Sequence, residues 1–319
     1  MIFHDRKIQV FGIATALLLL AYFLFAAAPL GKDGFQTNSI YEIPEDATLS
    51  ETAENLQTGG YIKNKQLFKL LVVATAPRSG IKAGSYFFGN KQNVFWVSDR
   101  IATGDFGVDP VKVTIPEGLN NKEMAEVLES ILPDFDKDEF LEVAKEHEGY
   151  LFPDTYYFLS TIKPKNIVKE MTENFELKTM EVLPDIEASE YELFDYVRMA
   201  SILEKEARRY ETRQKIASVL WNRIEIDMAL QVDAAFLYFL GKTTFDLTLD
   251  DLDTDSPYNT YKYPGFPIGP ISNPGLDSIK AAIYYDESPN LFYLSDYEGV
   301  THFAENFEIH KLNKEKYLR

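Results

Sequence analysis

The chain has no cysteine. That absence excludes disulfides, zinc fingers, iron–sulfur clusters and thiol nucleophiles, and it leaves the redox compartment open. Histidine is scarce: His4, His147, His302 and His310 are the 4 in 319 residues. No two have the spacing of a zinc-binding helix, so a metal site would rest mainly on carboxylates; neither a metal nor another cofactor is expected. Positive charge is short as well, with 32 Lys and Arg against 50 Asp and Glu and a formal net charge of −18. A nucleic-acid partner needs a basic face, so none is expected. The Gly-x-Ser-x-Gly elbow of a serine hydrolase is missing too.

What is present begins with an apolar run. Val10–Leu30 carries no charged residue and follows His4, Arg6 and Lys7. Its 21 residues at a rise of ~1.5 Å span roughly 31 Å, enough for a hydrocarbon core of ~30 Å. Ala26-Ala27-Ala28 resembles a signal cleavage site, but the run exceeds the ~7–15 residues of a signal h-region, which favours an uncleaved anchor. Basic residues before the span stay in the cytoplasm. The expectation is a cytoplasmic tail over 1–7, a transmembrane helix over 8–30, a linker over 31–39, and an exported body on a single-pass anchor in the cell membrane.

The body reads as α+β. From Tyr41 to Ile115 strand and helix patterns alternate: Tyr41–Pro44, a helix from Thr48 or Ser50, a helix over Lys65–Ala74, then Gly84–Phe88, Val94–Ile101 and Val111–Ile115. Tyr41, Ile43, Thr48, Leu49 and Ala53 resemble the opening of a LysM module, a strand–helix–helix–strand glycan-binding fold; Asp46, Ala47 and Thr52 depart from its pattern. A small LysM-like α/β subdomain is therefore expected over 40–115, and a larger mixed α+β catalytic domain over 116–319.

Within that larger part, Asn120 or Asn121 can cap a helix bearing Met124, Val127, Leu128 and Ile131. Glu117 lies near its start, a position where a carboxylate is usually structural. The helix over Tyr191–Arg209 has one anomaly. Leu193, Val197, Ala200, Leu203 and Ala207 share an apolar arc, and Glu204 projects into that arc, while Glu206 lies nearer its rim like a solvated charge. A carboxyl facing a packed side favours its protonated form, the form that glycosidic-bond cleavage requires of an acid. The same geometry also suits a structural Glu paired with a Lys or Arg. Farther on, Pro257–Gly275 is dense in Pro, Gly, Asn and Tyr; such a loop is neither helix nor central strand, and its flat rings and amide edges suit sugars.

Several motifs in order then resemble the YceG-like family, the endolytic murein transglycosylases. They are Glu148–Tyr156, Ala200–Ala207 (Ala-Ser-Ile-Leu-Glu-Lys-Glu-Ala), Ile216–Arg223, Leu230–Asp233, Tyr258–Tyr261, Gly265–Gly275 and His302-Phe303. Asp233-Ala234-Ala235 and Phe266–Gly269 depart from the family's Asp-Pro-Thr and Leu-Pro-Pro-Gly. The resemblance implies a lytic transglycosylase that cuts between N-acetylmuramic acid and N-acetylglucosamine in peptidoglycan glycan strands and leaves 1,6-anhydro ends. It implies Glu204 as the acid and base; should a Glu204→Gln variant stay active, Glu148 is the next candidate. Gln231, Tyr258, Asn259, Asn273 and His302 are expected in the glycan cleft, and each of those five equally suits a structural role. The alternative from another class is a catalytically silent wall-binding scaffold that recruits peptidoglycan synthases.

Overall fold

The computed structural model describes residues 35–76, 78, 80–243 and 246–318, together with 17, 21, 28 and 29. The expected transmembrane helix over 8–30 therefore falls, but for four residues, outside the described part. Among the described residues no helix is long and apolar enough to cross a membrane. The chain divides into two compact units, one of 1–111 with 159–162, the other of 112–158 with 163–319.

The first unit opens with strand β1 (Ser39–Ile43), helices α1 (Leu49–Thr58) and α2 (Lys65–Thr75), and strand β2 (Gly84–Phe88). β1 and β2 pair antiparallel, Tyr41 opposite Tyr86, which gives the strand–helix–helix–strand order. Local chemistry starts each helix. Thr48 accepts from the amide of Glu51 and Glu51 accepts from that of Thr48, a reciprocal cap for α1. Asn64 accepts from Gln66 and Leu67 at the head of α2, and Asn93 from Trp96 at that of α3 (Val94–Thr103). Leu56, Phe68, Val72, Tyr86, Phe88, Val97 and Ile101 form the core.

The second unit, whose limits fall inside β3 after Val111 and inside β4 before Leu159, continues with β3 (Pro110–Thr114), α4 (Asn121–Ile131), α5 (Lys137–Ala144), β4 (Thr155–Leu159), α6 (Pro164–Thr179) and α7 (Leu183–Glu187). β3 and β4 form a two-stranded sheet. Then come α8 (Leu193–Glu206), α9 (Tyr210–Glu225), α10 (Ala234–Leu240), α11 (Leu249–Leu252), α12 (Leu276–Ile283), the antiparallel hairpin β5 (Phe292–Ser295) and β6 (Thr301–Ala304), and α13 (Phe307–Tyr317). The core lies where α8, α9 and α12 meet. Trp221 of α9 packs in it between Tyr191, Tyr196 and Phe266 and donates to the carbonyl of Ala282 at 3.0 Å, so its buried N–H is satisfied.

Two features of α8 position the site. It is buried on more than one side, through Tyr196, Val197, Met199, Ala200, Ile202 and Leu203. It also stops at Glu206, because Ala207 turns to an extended conformation (φ −148°, ψ 150°). The loop 257–275 is fastened to this helix. Ser201 accepts from the amide of Ile271 at 3.1 Å, Ser272 donates to the carbonyl of Ser201 at 3.0 Å, and Arg198 donates to the carbonyl of Pro267 at 3.0 Å. Hydrogen bonds of this kind let a Pro/Gly-rich loop lie buried without orphaned backbone groups.

Candidate active site

The two carboxylates of Glu-Lys-Glu leave α8 in different directions. Glu204 goes into the protein. Its Oε1 accepts from Arg213 Nη2 at 2.5 Å and its Oε2 from the amide of Gly275 at 3.0 Å, and the two side chains are 5 and 7 % exposed. Glu117 stands beside this pair, its carboxyl pushed upward by burial and then by the neighbouring charge of Glu204. Its Oε1 is so close to Gly275 that a Cβ there would sit 2.0 Å from it, so any side chain at this position would have to push the Glu117 carboxyl aside. The helical arc thus locates Glu204 correctly on a packed side, and what waits there is an arginine. Both carboxylate oxygens accept from donors of the protein itself.

Glu206 ends α8 on the other side. It lies at the floor of a cavity of about 570 Å³ whose walls include Arg223 of α9, Gln231, Asp233, Tyr261, Tyr293 of β5, and His310 and Lys314 of α13. Its Oε2 accepts from the Tyr293 hydroxyl at 3.0 Å. Burial pushes its carboxyl up to about 7; the Tyr293 hydrogen bond works against this and the charge of Asp233 with it. Glu206 is only partly covered as a surface, yet it sits deep in the protein, because the cavity is what reaches it. Rather than a solvated rim charge, it is a half-buried acid facing open volume.

The cavity walls are stiff. Arg223 donates from Nε to the carbonyl of Leu291 at 2.7 Å and from Nη1 to that of Leu230 at 2.7 Å, tying α9 to the segments before α10 and β5. Thr260 brackets Val232, its hydroxyl accepting from the Val232 amide at 3.1 Å and donating to the Val232 carbonyl at 3.2 Å. The amide of Gln231 donates to the carbonyl of Thr260 at 2.9 Å, and this holds Gln231 at φ 53°, a left-handed conformation that a non-glycine residue keeps only when its surroundings impose it. Tyr261 donates to Asp233 Oδ1 at 2.5 Å.

Of the residues expected in a glycan cleft, the structure brings Gln231 to this cavity and leaves Tyr258, Asn259, Asn273 and His302 off its walls. Tyr258 packs on Tyr238, ring centroids 4.8 Å apart. Asn259 is buried; its amide donates to the carbonyls of Leu252 and Thr254, each at 2.8 Å, and its oxygen accepts from the amides of Tyr261 and Lys262. Asn273, fully buried, accepts from the amides of Gly149 and Leu151 at 2.8 and 2.9 Å and donates to Leu119, Asn121 and Glu148. His302 pairs with Asp296 at 2.8 Å and stacks on Tyr317. Both asparagines thus have their side-chain polar atoms directed to the protein itself. Glu148 is likewise inside, its carboxyl raised to about 7 by burial while it accepts from Asn121, Asn273 and Tyr238. Among the described residues no three histidine or carboxylate side chains converge as a metal site.

Sequence reasoning passed over Glu206, Asp233, Tyr261 and Tyr293. A signal for the first was there: Met199, Ile202 and Glu206 recur at i, i+3 and i+7, a second buried stripe on the opposite flank of the arc that contains Glu204.

Comparison with known proteins agrees with this architecture. Residues 41–316 match the model of the YceG-like family. An endolytic murein transglycosylase of Bacillus subtilis (strain 168) is 29 % identical over 317 residues, covering 91 % of this chain and 87 % of that protein. One of Streptococcus pneumoniae serotype 2 is 28 % identical over 313 residues, 85 % of this chain but 57 % of its own length. The crystal structure of a YceG-like protein from Listeria monocytogenes superposes with a TM-score of 0.59 at 30 % identity, covering 86 % of this chain and 98 % of that one. With a family match over most of its length and a like-folded relative at 30 % identity, the chain belongs to the YceG-like family.

Proposed function

We propose that this protein is a lytic transglycosylase that cleaves peptidoglycan glycan strands endolytically, with Glu206 as its acid and base. The relatives named as endolytic murein transglycosylases support the reaction class, and one observation carries the assignment: Glu206 lies at the floor of the cavity with its carboxyl raised to about 7. At neutral pH such a group is present in both forms, as a residue must be that first gives and then takes a proton.

In the reaction proposed, protonated Glu206 gives its proton to the oxygen between N-acetylmuramic acid and N-acetylglucosamine. The bond from muramic C1 breaks and its electron pair leaves with that oxygen. The carboxylate then removes the proton of the muramic C6 hydroxyl, whose oxygen bonds to C1 and closes a 1,6-anhydro ring. No water is consumed. An internal nucleophile gains from proximity, so the second carboxylate of an ordinary glycosidase, placed at ~5–5.5 Å or ~6.5–9.5 Å, is not required for attack. Gln231 and Tyr261 supply polar edges on the wall.

The same reading includes a single-pass anchor over 8–30 in the cell membrane, a cytoplasmic N-terminus and an exported body. It also includes a LysM-like subdomain on the wall side and peptidoglycan synthases as partners. Glu206→Gln tests the core of it. Release of anhydro-muropeptides from purified sacculi falls to background while the circular dichroism spectrum is unchanged; release at the wild-type rate would refute the assignment. A hydrolase would give reducing muramic ends, heavier by one water in mass spectrometry.

A further inference from the structure

Glu206 is the only carboxyl placed in the reaction above, yet it shares its cavity with a second one, and each of the two holds a tyrosine hydroxyl. Tyr293 donates to Glu206 at 3.0 Å; Tyr261 donates to Asp233 at 2.5 Å. The two pairs come from four separate places in the chain: the end of α8, the segment before α10, the loop 257–275, and β5. Hydroxyls facing a cavity can be solvated without a protein partner, and a second carboxylate on the same cavity raises the energy of the charged form of Glu206.

We propose that Tyr293 and Asp233 are positioning residues that act on Glu206 in opposite senses, the hydroxyl by orienting and stabilising the carboxylate, the aspartate by favouring the protonated acid. The proposal rests on Glu206 being the acid of the preceding section. A donor aimed at a carboxylate favours its charged form, and a neighbouring negative charge favours the neutral one. Those are the signs with which the two groups act on Glu206 here. The pairing also divides labour over the reaction. Asp233 keeps the proton on Glu206 until the glycosidic oxygen arrives, and Tyr293 holds the resulting carboxylate in one rotamer for the C6 hydroxyl.

Other charged and titratable groups face the same cavity from α8, α9 and α13. Lys205 precedes it on α8 and leans toward Glu123, Nζ to Oε2 3.8 Å. Arg223 of α9 gives its donors to backbone carbonyls and lies over the Phe292 ring, 5.2 Å from its centroid. On α13, His310 is held neutral-leaning by burial and by the charges of Lys314 and Arg223, and Lys314 is exposed at the cavity mouth. None of these hydrogen-bonds to Glu206; Tyr293 does.

The test is the pH dependence of kcat/KM for anhydro-muropeptide release by the full chain, in wild type, Tyr293→Phe and Asp233→Asn. Asn keeps an oxygen for the Tyr261 hydroxyl, so the wall stays in place. The alkaline limb, which reports the acid of the free enzyme, moves up by about half a unit or more in Tyr293→Phe and down by about as much in Asp233→Asn. A merely structural role lowers the rate in both without opposite displacement, and that result overturns the proposal. Where a variant is too slow to assay, the Glu206 carboxyl is titrated directly by carbon-13 NMR; two shifts of the same sign, or none, are equally fatal. Because that titration needs no turnover, it separates failure of this inference from failure of Glu206→Gln to abolish activity.

Discussion

The two glutamates of Glu204-Lys205-Glu206 differ by two residues in sequence and by one kind of phenotype in prediction. Glu204→Gln removes the charge from an ion pair whose members are 5 and 7 % exposed. Deleting one partner of a buried pair costs about 3–5 kcal/mol, since the other charge stays behind unpaired. The amide retains an oxygen for one of the two donors, and Glu117 is near enough to Arg213 to feel its charge, so the lower end, ~3 kcal/mol, is expected. For a folding unit of about 200 residues that is a fall in Tm of roughly 6–12 °C. Glu206→Gln breaks no ion pair, and its amide oxygen can still accept from Tyr293, so its stability stays within about 1 kcal/mol of wild type. Activity reverses the order. Loss of a general acid lowers the rate by about 10²–10⁴, while Glu204→Gln, assayed well below its melting temperature, keeps most of its turnover. Differential scanning calorimetry beside an anhydro-muropeptide assay reads both. A stable, inactive Glu204→Gln together with an active Glu206→Gln would refute the reasoning from burial to role.

Two further outcomes concern stability. Glu148 and Glu206 both have carboxyls raised to about 7 from 4.5; each holds its proton more tightly folded than unfolded. The stability they contribute is fully present below about 4.5 and is lost as pH rises through 7, so thermal melts across that window should show a falling Tm, and Glu148→Gln should flatten part of the fall. Asn273→Ala orphans the amides of Gly149 and Leu151 and takes a donor away from the Glu148 carboxylate; at about 1–3 kcal/mol for each unsatisfied group, urea denaturation should show a loss of more than ~3 kcal/mol, and a near-neutral result would contradict the hydrogen-bond assignment.

Much of the fold could be read from local chemistry. Thr48 and Asn120 are caps in the structure as in the sequence, and Gly84–Phe88 is a strand with those limits, because capping and alternation act within a few residues. The expected helix over Lys65–Ala74 is found over Lys65–Thr75. The site was harder for three reasons. The arc through Leu193 and Ala200 presupposes a helix with one buried side, and α8 buries two, so in the sequence Glu206 has the pattern of a surface charge. Asn259 and Asn273 have the composition of a sugar-binding loop, but whether an amide faces solvent or its own backbone depends on how the loop folds. Tyr261 and not Tyr258 reaches the cavity, a difference of three residues decided by the turn between them. The Tyr293–Glu206 hydrogen bond joins residues 87 apart, and no periodicity spans that distance.

Glu206 being the last residue of α8 has a consequence of its own. The final turn of a helix leaves carbonyls without amide partners, and the end carries roughly half a negative elementary charge. Besides burial and the charge of Asp233, this is a further influence that favours a proton on a carboxyl there, and it is supplied by backbone that substitution cannot remove. An insertion that let α8 run on for another turn past Ala207 would carry that negative end ~5.4 Å away. Where a helix stops is thus a chemical setting of the enzyme, and a change in its length would be felt as a change in acidity.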